Sequence, residues 1–389
     1  MRKVGIVTYC HCDNYGADLQ AYALQQVLRR LNLSGEIIDF DRAPLSFGQK
    51  VYKTVRAILR RFNGHVFRGG AEILGLLVSK VMGGAARMSS ECQEELRVRR
   101  ERFENFWSGH LAHTEKLKWT DLPRHLDYKA LIAGSDQIWS WLQTSDLSPY
   151  FLLFADSTVR KVSYAASVGE GYIPRRYHEC YKKGLENLDC ISVRERSACK
   201  MLQQFTARPI EHVLDPTLLL DKEAWSKIWS NEIRFEEPYI FSYSLNTSSR
   251  YMAVVRACSR KLGVRVVNIN GSGRKSVGNE IVDVYAAGPR EFLYLLAHAQ
   301  FVITNSFHGT IFAMNFNIPF LSVLNPASGS NSRVLSIVDV MGVSERAIMD
   351  DDEDQAQGAL EVVMHFDKIN ANIKKLRQMS FEYLRNALL

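Results

Sequence analysis

Val4-Gly5-Ile6-Val7-Thr8, then Tyr9-Cys10-His11-Cys12-Asp13-Asn14-Tyr15-Gly16, then Asp18 to Leu31, then Gly35-Glu36-Ile37-Ile38-Asp39-Phe40: this opening stretch decides the fold. The first block is a short β-rich run, the second has loop chemistry, and the fourth returns as a strand. Between them Leu19, Tyr22, Ala23, Val27 and Leu31 draw an approximate helical stripe. A β-loop-α-β unit of this kind opens a parallel sheet covered by helices. The same grammar recurs at Lys129 to Gly134, at Arg160 to Ala166, and at Asp189 to Val193 leading into a helix from Arg196 to Phe205. After Val213-Leu214-Asp215-Pro216-Thr217 a second block begins, with strands expected at Tyr239 to Ser244, Val264 to Ile269 and Phe301 to Thr304. Helices are expected between them at Ser249 to Leu262 and Pro289 to His298. The expected fold class is therefore α/β, two Rossmann-like domains facing each other across a cleft. In open α/β sheets ligands sit outside the carboxyl ends of the strands, so the loops after strands hold the candidates.

At 389 residues the chain is long enough for two or three domains, and 46% apolar with 23% charged residues is ordinary for a globular protein. No apolar run approaches the ~18 to 20 residues that span a bilayer. Met1 to Tyr9 is too short an apolar stretch for a signal peptide and shows no small-residue cleavage site. Seven scattered cysteines make no disulfide framework in a chain this long. The expected localisation is cytoplasmic, with reduced thiols. The net charge is +7, and residues 42 to 103 alone hold thirteen Lys/Arg against five Asp/Glu. So uneven a distribution argues against a general nucleic-acid binder and for a local anionic contact.

That basic stretch interrupts the alternation. Residues 46 to 110 read as a helical insert, with Val51, Val55, Ile58, Leu59 and Phe62 interleaved with Lys53, Arg56, Arg60 and Arg61, and with glycine pairs at Gly69-Gly70 and Gly83-Gly84. Two readings stand: a helical insertion packed on the first domain with solvated charges, or an amphipathic patch for an anionic membrane surface. The expected division is 1–213 for the first domain with its insert, 214–365 for the second domain, and a C-terminal helix at 366–389 packing back on the first.

Phe301 to Met314 is the strongest chemical signal. A strand ends at Thr304, the chain turns at Ser306-Phe307-His308-Gly309, and a helix is expected to start near Thr310. A helix start is an anion site, and an imidazole beside it suits proton transfer. His308 could equally cap the helix. In Ser192-Val193-Arg194-Glu195-Arg196 a strand delivers Arg194 to the cleft edge, either as a clamp for carboxylate or phosphate or as a surface partner of Glu195. Asn14, Tyr15 and Gln20, after the first strand, could bond sugar hydroxyls or cap the first helix. Gly134-Ser135-Asp136-Gln137-Ile138-Trp139 is a similar loop. There Asp136 could accept a proton and Trp139 stack on a sugar, with a turn around a buried Trp as the plainer alternative. One glycine in the first loop is far from G-x-G-x-x-G, no P-loop or G-x-S-x-G elbow occurs, and Cys10-His11-Cys12 lacks the partners for a four-ligand metal site.

Six ordered blocks carry a family resemblance: Asp13 to Ala17 with Leu19 to Tyr22, Gly134 to Trp139, Ser163 to Ser167, Ser192 to Glu195, Leu214 to Thr217, and Thr304 to Thr310. The chain resembles the polysaccharide pyruvyl transferases over nearly its whole length. The resemblance implies a fold like the GT-B glycosyltransferases and an enzyme using phosphoenolpyruvate as co-substrate, without cofactor or metal. Its product would be a pyruvate ketal bridging two hydroxyls of a sugar, galactose being the frequent case, in a bacterial surface polysaccharide of capsule or exopolysaccharide type. The implied acceptor is a polyprenyl-diphosphate-linked oligosaccharide, and the basic insert would then rest on the inner face of the membrane.

Carried over residue by residue, His308 matches the family's acid/base histidine and Arg194 the arginine that holds phosphoenolpyruvate. Some relatives place another arginine two residues before the histidine, where this chain has Ser306, and Arg333 is expected to supply the missing cation. The donor set is then Arg194, Ser306, Phe307, Gly309, Thr310 and Arg333. The acceptor set is Asn14, Tyr15, Gln20, Ser135, Gln137 and Trp139, with Asp136 beside His308 in catalysis. Two other classes share such a fold: a nucleotide-sugar-dependent glycosyltransferase and a non-catalytic glycan-binding protein.

Overall fold

Strands read as unbroken apolar runs when both faces of a parallel sheet are covered by helices. β3 (Ala130–Ala133) and β10 (Phe301–Thr304) are buried at every residue in the computed structural model, which describes residues 2–9, 11–61, 89–123, 127–245, 247–271, 275–326, 331–350 and 353–389.

The first half opens with β1 (Arg2–Val7), α1 (Tyr15–Arg30) and β2 (Leu33–Ile37), followed by α2 (Phe47–Arg61) and α3 (Ser90–His110). With β3 and β4 (Arg160–Ser163) it forms a parallel sheet of order β2-β1-β3-β4. α4 (His178–Glu186) then leads to β5 (Ile191–Val193), α5 (Arg196–Leu202) and β6 (Ile210–His212). β5 and β6 pair in parallel, and bridges Val162↔Cys190 and Ala166↔Val193 tie them to the end of the first sheet.

The second half runs from α6 (Lys222–Ser226) through β7 (Tyr239–Tyr243), α7 (Ser249–Leu262), β8 (Arg265–Ile269), β9 (Ile281–Val284) and α8 (Pro289–Ala297) to β10. α9 (Phe307–Phe316), β11 (Phe320–Leu324), α10 (Asn331–Met341), β12 (Ala347–Met349), α11 (Glu353–Glu361) and α12 (Phe366–Leu388) complete it. Its six parallel strands run β12-β11-β10-β7-β8-β9. The two-sheet α/β architecture expected from the sequence is present. α12 returns to the first half, where Tyr383 Oη donates to Ser163 O at 2.8 Å and Arg160 Nε donates to Ala387 O at 2.5 Å.

The helix boundaries shift for a local reason. α1 starts at Tyr15, three residues before the expected Asp18, because Asn14 Oδ1 accepts from the Ala17 amide at 3.2 Å and caps it. The insert is helical at both described ends, and Phe62 and the two glycine pairs lie outside the described residues. α3 belongs to neither half alone. Arg99 Nη2 donates to Asp13 O (3.2 Å) and the His11 ring stacks on Trp107, while Arg102 donates to Ala286 O (3.0 Å) and to Glu232 (2.8 Å) in the second half. Tyr15 crosses the same seam by donating to Ala287 O at 2.7 Å and stacking on Phe292. No described helix is long and apolar enough to cross a membrane.

Candidate functional site

Asp215, two residues beyond Val213, begins a short 3-10 turn between the halves, and its side chain is completely enclosed. Oδ1 accepts from the Thr217 amide (3.0 Å) and hydroxyl (2.8 Å). Oδ2 accepts from Ser135 Oγ at 3.0 Å, after β3, and from Arg194 Nη1 at 2.7 Å, after β5. His308 Nε2, in the first turn of α9, stands 3.6 Å from the same Oδ2, inside ion-pair range and just beyond hydrogen-bond length. Arg194 and His308, the two residues on which the sequence reading rests, thus meet at one carboxylate. Burial alone would raise the Asp215 pKa, but His308 and Arg194 outweigh it and hold the carboxyl well below the usual range.

Arg194 is 3% exposed and its guanidinium is almost fully committed. Nε donates to Glu195 Oε1 at 3.1 Å, and the plane lies 4.2 Å from the centroid of the Phe307 ring, a cation–π contact. Burial disfavours its charge, yet Glu195, Asp215 and Asp136 together raise its pKa. Arg194 does pair with Glu195, but in the interior rather than at the surface. What remains is Nη2, which is enclosed, lacks a hydrogen-bond partner and lies 4.0 Å from Asp136 Oδ1. His308, 6% exposed, leaves Nε2 in the same condition. Two enclosed donors without acceptors beside one oxygen are the feature that needs explaining, because buried polar groups are ordinarily paired.

The opposite wall of His308 is Gly16 in α1. A Cβ there would stand 2.0 Å from His308 Nδ1, so only glycine lets the imidazole rest against the helix start. Gly134 is likewise irreplaceable: its φ is +128° and a Cβ would meet Tyr164 O at 2.0 Å. It leads directly into Ser135.

Several expectations need correction. α9 begins at Phe307 rather than near Thr310, since Ser306 is its N-cap and accepts the Gly309 amide at 3.4 Å. Thr310 Oγ1 donates to Ser306 O at 3.0 Å and lies 2.8 Å from Ser322 Oγ. Gly309 packs against Thr304. Ser306, Gly309 and Thr310 therefore hold the turn that carries His308, and Phe307 supports Arg194 from beneath. Arg333, at the start of α10, is lowered in pKa by burial and then by Arg194, which puts the two guanidinium groups in one neighbourhood with Glu195, Asp136 and Glu170 as counter-charges.

On the acceptor side the differences are larger. Trp139 is fully buried, donates to Tyr150 O at 2.9 Å and stacks on Phe151, so it has no free face for a sugar. Tyr15 is consumed by the seam, and burial pushes its pKa up to about 12. Gln20 is enclosed, donates to Thr8, Tyr9 and Ala17, and accepts the Ser135 amide at 3.1 Å. Ser135 Oγ is shared between Asp215 and Ala165 O. These four are internal braces. Asn14 and Gln137 are half-buried, the first as the cap of α1 and the second against Gly169. Asp136 is half-buried beside Arg194.

Sequence reading missed Asp215, although Leu214-Asp215-Pro216-Thr217 was among the blocks of the resemblance. Arg42, after β2, lies with its guanidinium 3.9 Å from the Tyr9 ring. Among the described residues no group of three His, Cys, Asp or Glu is placed to hold a metal ion; Cys10 lies outside them.

Comparison with solved structures agrees with the two-domain fold. The S. aureus MnaA–UDP co-structure superposes with a TM-score of 0.51 at 9% identity, covering 96% of this chain and 91% of that one. Arabidopsis thaliana UGT89C1 complexed with UDP-L-rhamnose gives 0.50 at 12% identity, covering 100% and 99%. At such identity the likeness concerns fold only, and the fold is GT-B-like. No curated protein matches the chain. The family model described as polysaccharide pyruvyl transferase matches residues 14–326, which hold Gly16, Arg194, Asp215 and His308. The chain belongs to the polysaccharide pyruvyl transferase family.

Proposed function

We propose that the protein transfers the pyruvyl unit of phosphoenolpyruvate onto two hydroxyls of one sugar in a lipid-linked surface-polysaccharide precursor, with galactose as the sugar. The observation that carries this is the pair of enclosed, unpartnered donors, Arg194 Nη2 and His308 Nε2, at the seam of a member of this family. A donor with about three negative charges suits a guanidinium, a second arginine at 333 and a nearby acid.

The reaction balances with side chains alone. His308 gives a proton to the methylene carbon, C2 becomes electrophilic, and one sugar hydroxyl adds there and loses its proton. The C2–O bond to phosphate breaks, the second hydroxyl closes the ketal, and the two released protons restore His308 and leave with phosphate. Asp136, 4.0 Å from Arg194 Nη2 and half-buried, serves as the base, since the nearer Asp215 and Glu195 are enclosed and already bonded to Arg194. Holding donor and both hydroxyls together supplies much of the acceleration.

α2 supports a membrane location for the acceptor. Phe47 is 84% exposed, and Val51 and Val55 follow at four-residue spacing, also exposed, on a basic stretch. Sedimentation with anionic vesicles should be lost when Phe47 and Val51 become Glu, and unchanged sedimentation would end the membrane reading.

The test of the main reading is incubation of the protein and a galactoside panel with labelled phosphoenolpyruvate or labelled UDP-sugars. Label from phosphoenolpyruvate should enter the glycoside, and His308→Gln should reduce the rate by roughly two or more orders of magnitude. Label entering only from UDP-sugars would favour a glycosyltransferase, the reading that the UDP-containing fold neighbours suggest. Glycoside binding without any turnover would mean a glycan-binding protein.

A further inference from the structure

A carboxylate is a poor choice for lining a site that receives a trianion, yet Asp215 is fully enclosed at the one point where Arg194 and His308 meet. Its position is not accidental packing. Four partners on three chain segments fix it: the Thr217 amide and hydroxyl on one oxygen, Ser135 Oγ and Arg194 Nη1 on the other. Burying a charge costs several kcal/mol unless it is paired and hydrogen-bonded, and this one is satisfied on both oxygens. Binding of the donor explains the arginine and the histidine but not the acid between them.

We propose, building on the pyruvyl-transfer reading, that Asp215 is a positioning residue. It holds Arg194 by Nη1 so that Nη2 is the atom presented to the donor, and its charge, 3.6 Å from Nε2, favours the His308 tautomer with the proton on that nitrogen while leaving that proton unbonded for the donor. Removing a partner's charge in such an arrangement changes orientation more than affinity, because the donor loses a repulsive neighbour at the same time. The groups around the imidazole are few. Asp215 faces it from the 3-10 turn, Gly16 from α1, and the Phe307 ring stands edge-on within α9. Beyond Asp215 lies Arg194, with Asp136 at 4.0 Å and Arg333 of α10 in its field.

The experiment uses the full chain and two readouts. The first needs no donor: long-range proton–nitrogen NMR of the imidazoles at alkaline pH, with the His308 signal identified by its loss in His308→Gln. The Nε2–H pattern should dominate in the wild type and give way to a mixed or Nδ1–H pattern in Asp215→Asn. The second is steady-state kinetics with phosphoenolpyruvate. There Asp215→Asn should lower kcat at least 100-fold while KM for the donor stays level or falls. Ser135→Ala, which removes one hydrogen bond to Oδ2 without touching the charge, should lower kcat about 3- to 10-fold at unchanged KM. It serves where the first variant fails to fold. An identical imidazole pattern in the wild type and in the variants overturns the proposal, as does a rise in KM at constant kcat. A moved imidazole pattern, with no phosphate released from phosphoenolpyruvate by any form, leaves the positioning role in place and removes the pyruvyl-transfer reading.

Discussion

The first turns of α1 with Trp139 after β3, and the seam around Asp215, contain the same kinds of residue and use their polar atoms differently. In the first region, Gln20 spends its amide on Thr8, Tyr9, Ala17 and Ser135, Tyr15 gives its hydroxyl to Ala287, and Trp139 gives its indole N–H to Tyr150. At the seam, Arg194 Nη2 and His308 Nε2 are as deeply enclosed but bond to nothing. A satisfied buried group stabilises, whereas an unsatisfied one costs about 1 to 3 kcal/mol and more if charged. Two such costs beside one carboxylate are expected where a ligand is to remove them. Tyr9 Oη and Arg346 Nε are also enclosed without a hydrogen-bond partner, so what marks the site is that two residues with such donors converge on one carboxylate.

The most drastic way to break the seam is Arg194→Met. The substitution keeps an apolar stem over Phe307 but leaves Asp215 and Glu195 enclosed without their cation. Loss of one partner from a buried pair costs about 3 to 5 kcal/mol. Thermal and urea unfolding should show that loss, and any folded fraction should not bind phosphoenolpyruvate in a titration. Near-wild-type stability would mean that water reaches Asp215 and that the seam is open.

α1 carries a buried carboxyl group away from the Asp215 seam. Asp18, in the first turn of α1, accepts the His11 amide at 3.1 Å. Burial pushes its pKa up to about 7, with the His11 amide opposing and the Asp13 and Glu104 charges adding to the rise. An unfolded-chain aspartate titrates near ~3.9. The folded state therefore holds the proton more tightly, and stability contributed by protonated Asp18 is present below pH ~4 and declines as pH rises to about 7. Asp18→Asn should be more stable than the wild type by about 2 to 4 kcal/mol at pH 8. The gap should close toward pH 4. Urea unfolding of both proteins across this range reads it, and a gap independent of pH would refute the assignment.

Much of the fold was legible because strands buried on both faces write themselves as apolar runs. Phe301–Thr304 and the helix Ser249–Leu262 fall where the pattern puts them. Boundaries were not legible where one side chain decides them, as Asn14 and Ser306 do for α1 and α9. Arg194 and His308 could be selected as chemistry at strand ends, and the resemblance pointed the same way. Asp215 could not, because a single aspartate before Pro216 reads as turn chemistry until its partners, dozens of residues distant, are assembled around it. The same blindness assigned Trp139, Tyr15 and Gln20 to a sugar. Residue type and position after a strand were right for binding, and only the folded contacts show that their polar atoms are already used.

Asn14 is the residue on which this comparison can be sharpened most finely, since it is half-buried and shares both regimes. Its Oδ1 caps α1, and α1 carries Gly16 against the His308 imidazole two residues later. Removing the cap as Asn14→Ala should cost about 1 kcal/mol. If Asn14 is scaffold alone, stability falls by that amount and KM for the glycoside does not move. If its amide also bonds a sugar hydroxyl, KM for the acceptor rises several-fold while donor binding is retained, because a lost neutral hydrogen bond is worth ~1 kcal/mol in affinity. Asn14→Asp separates the two, since aspartate caps a helix as well as asparagine but offers no N–H to a hydroxyl oxygen. Restored stability with a raised acceptor KM would place this one loop residue on the functional side of the line, and restored values of both would leave it with Gln20 among the braces.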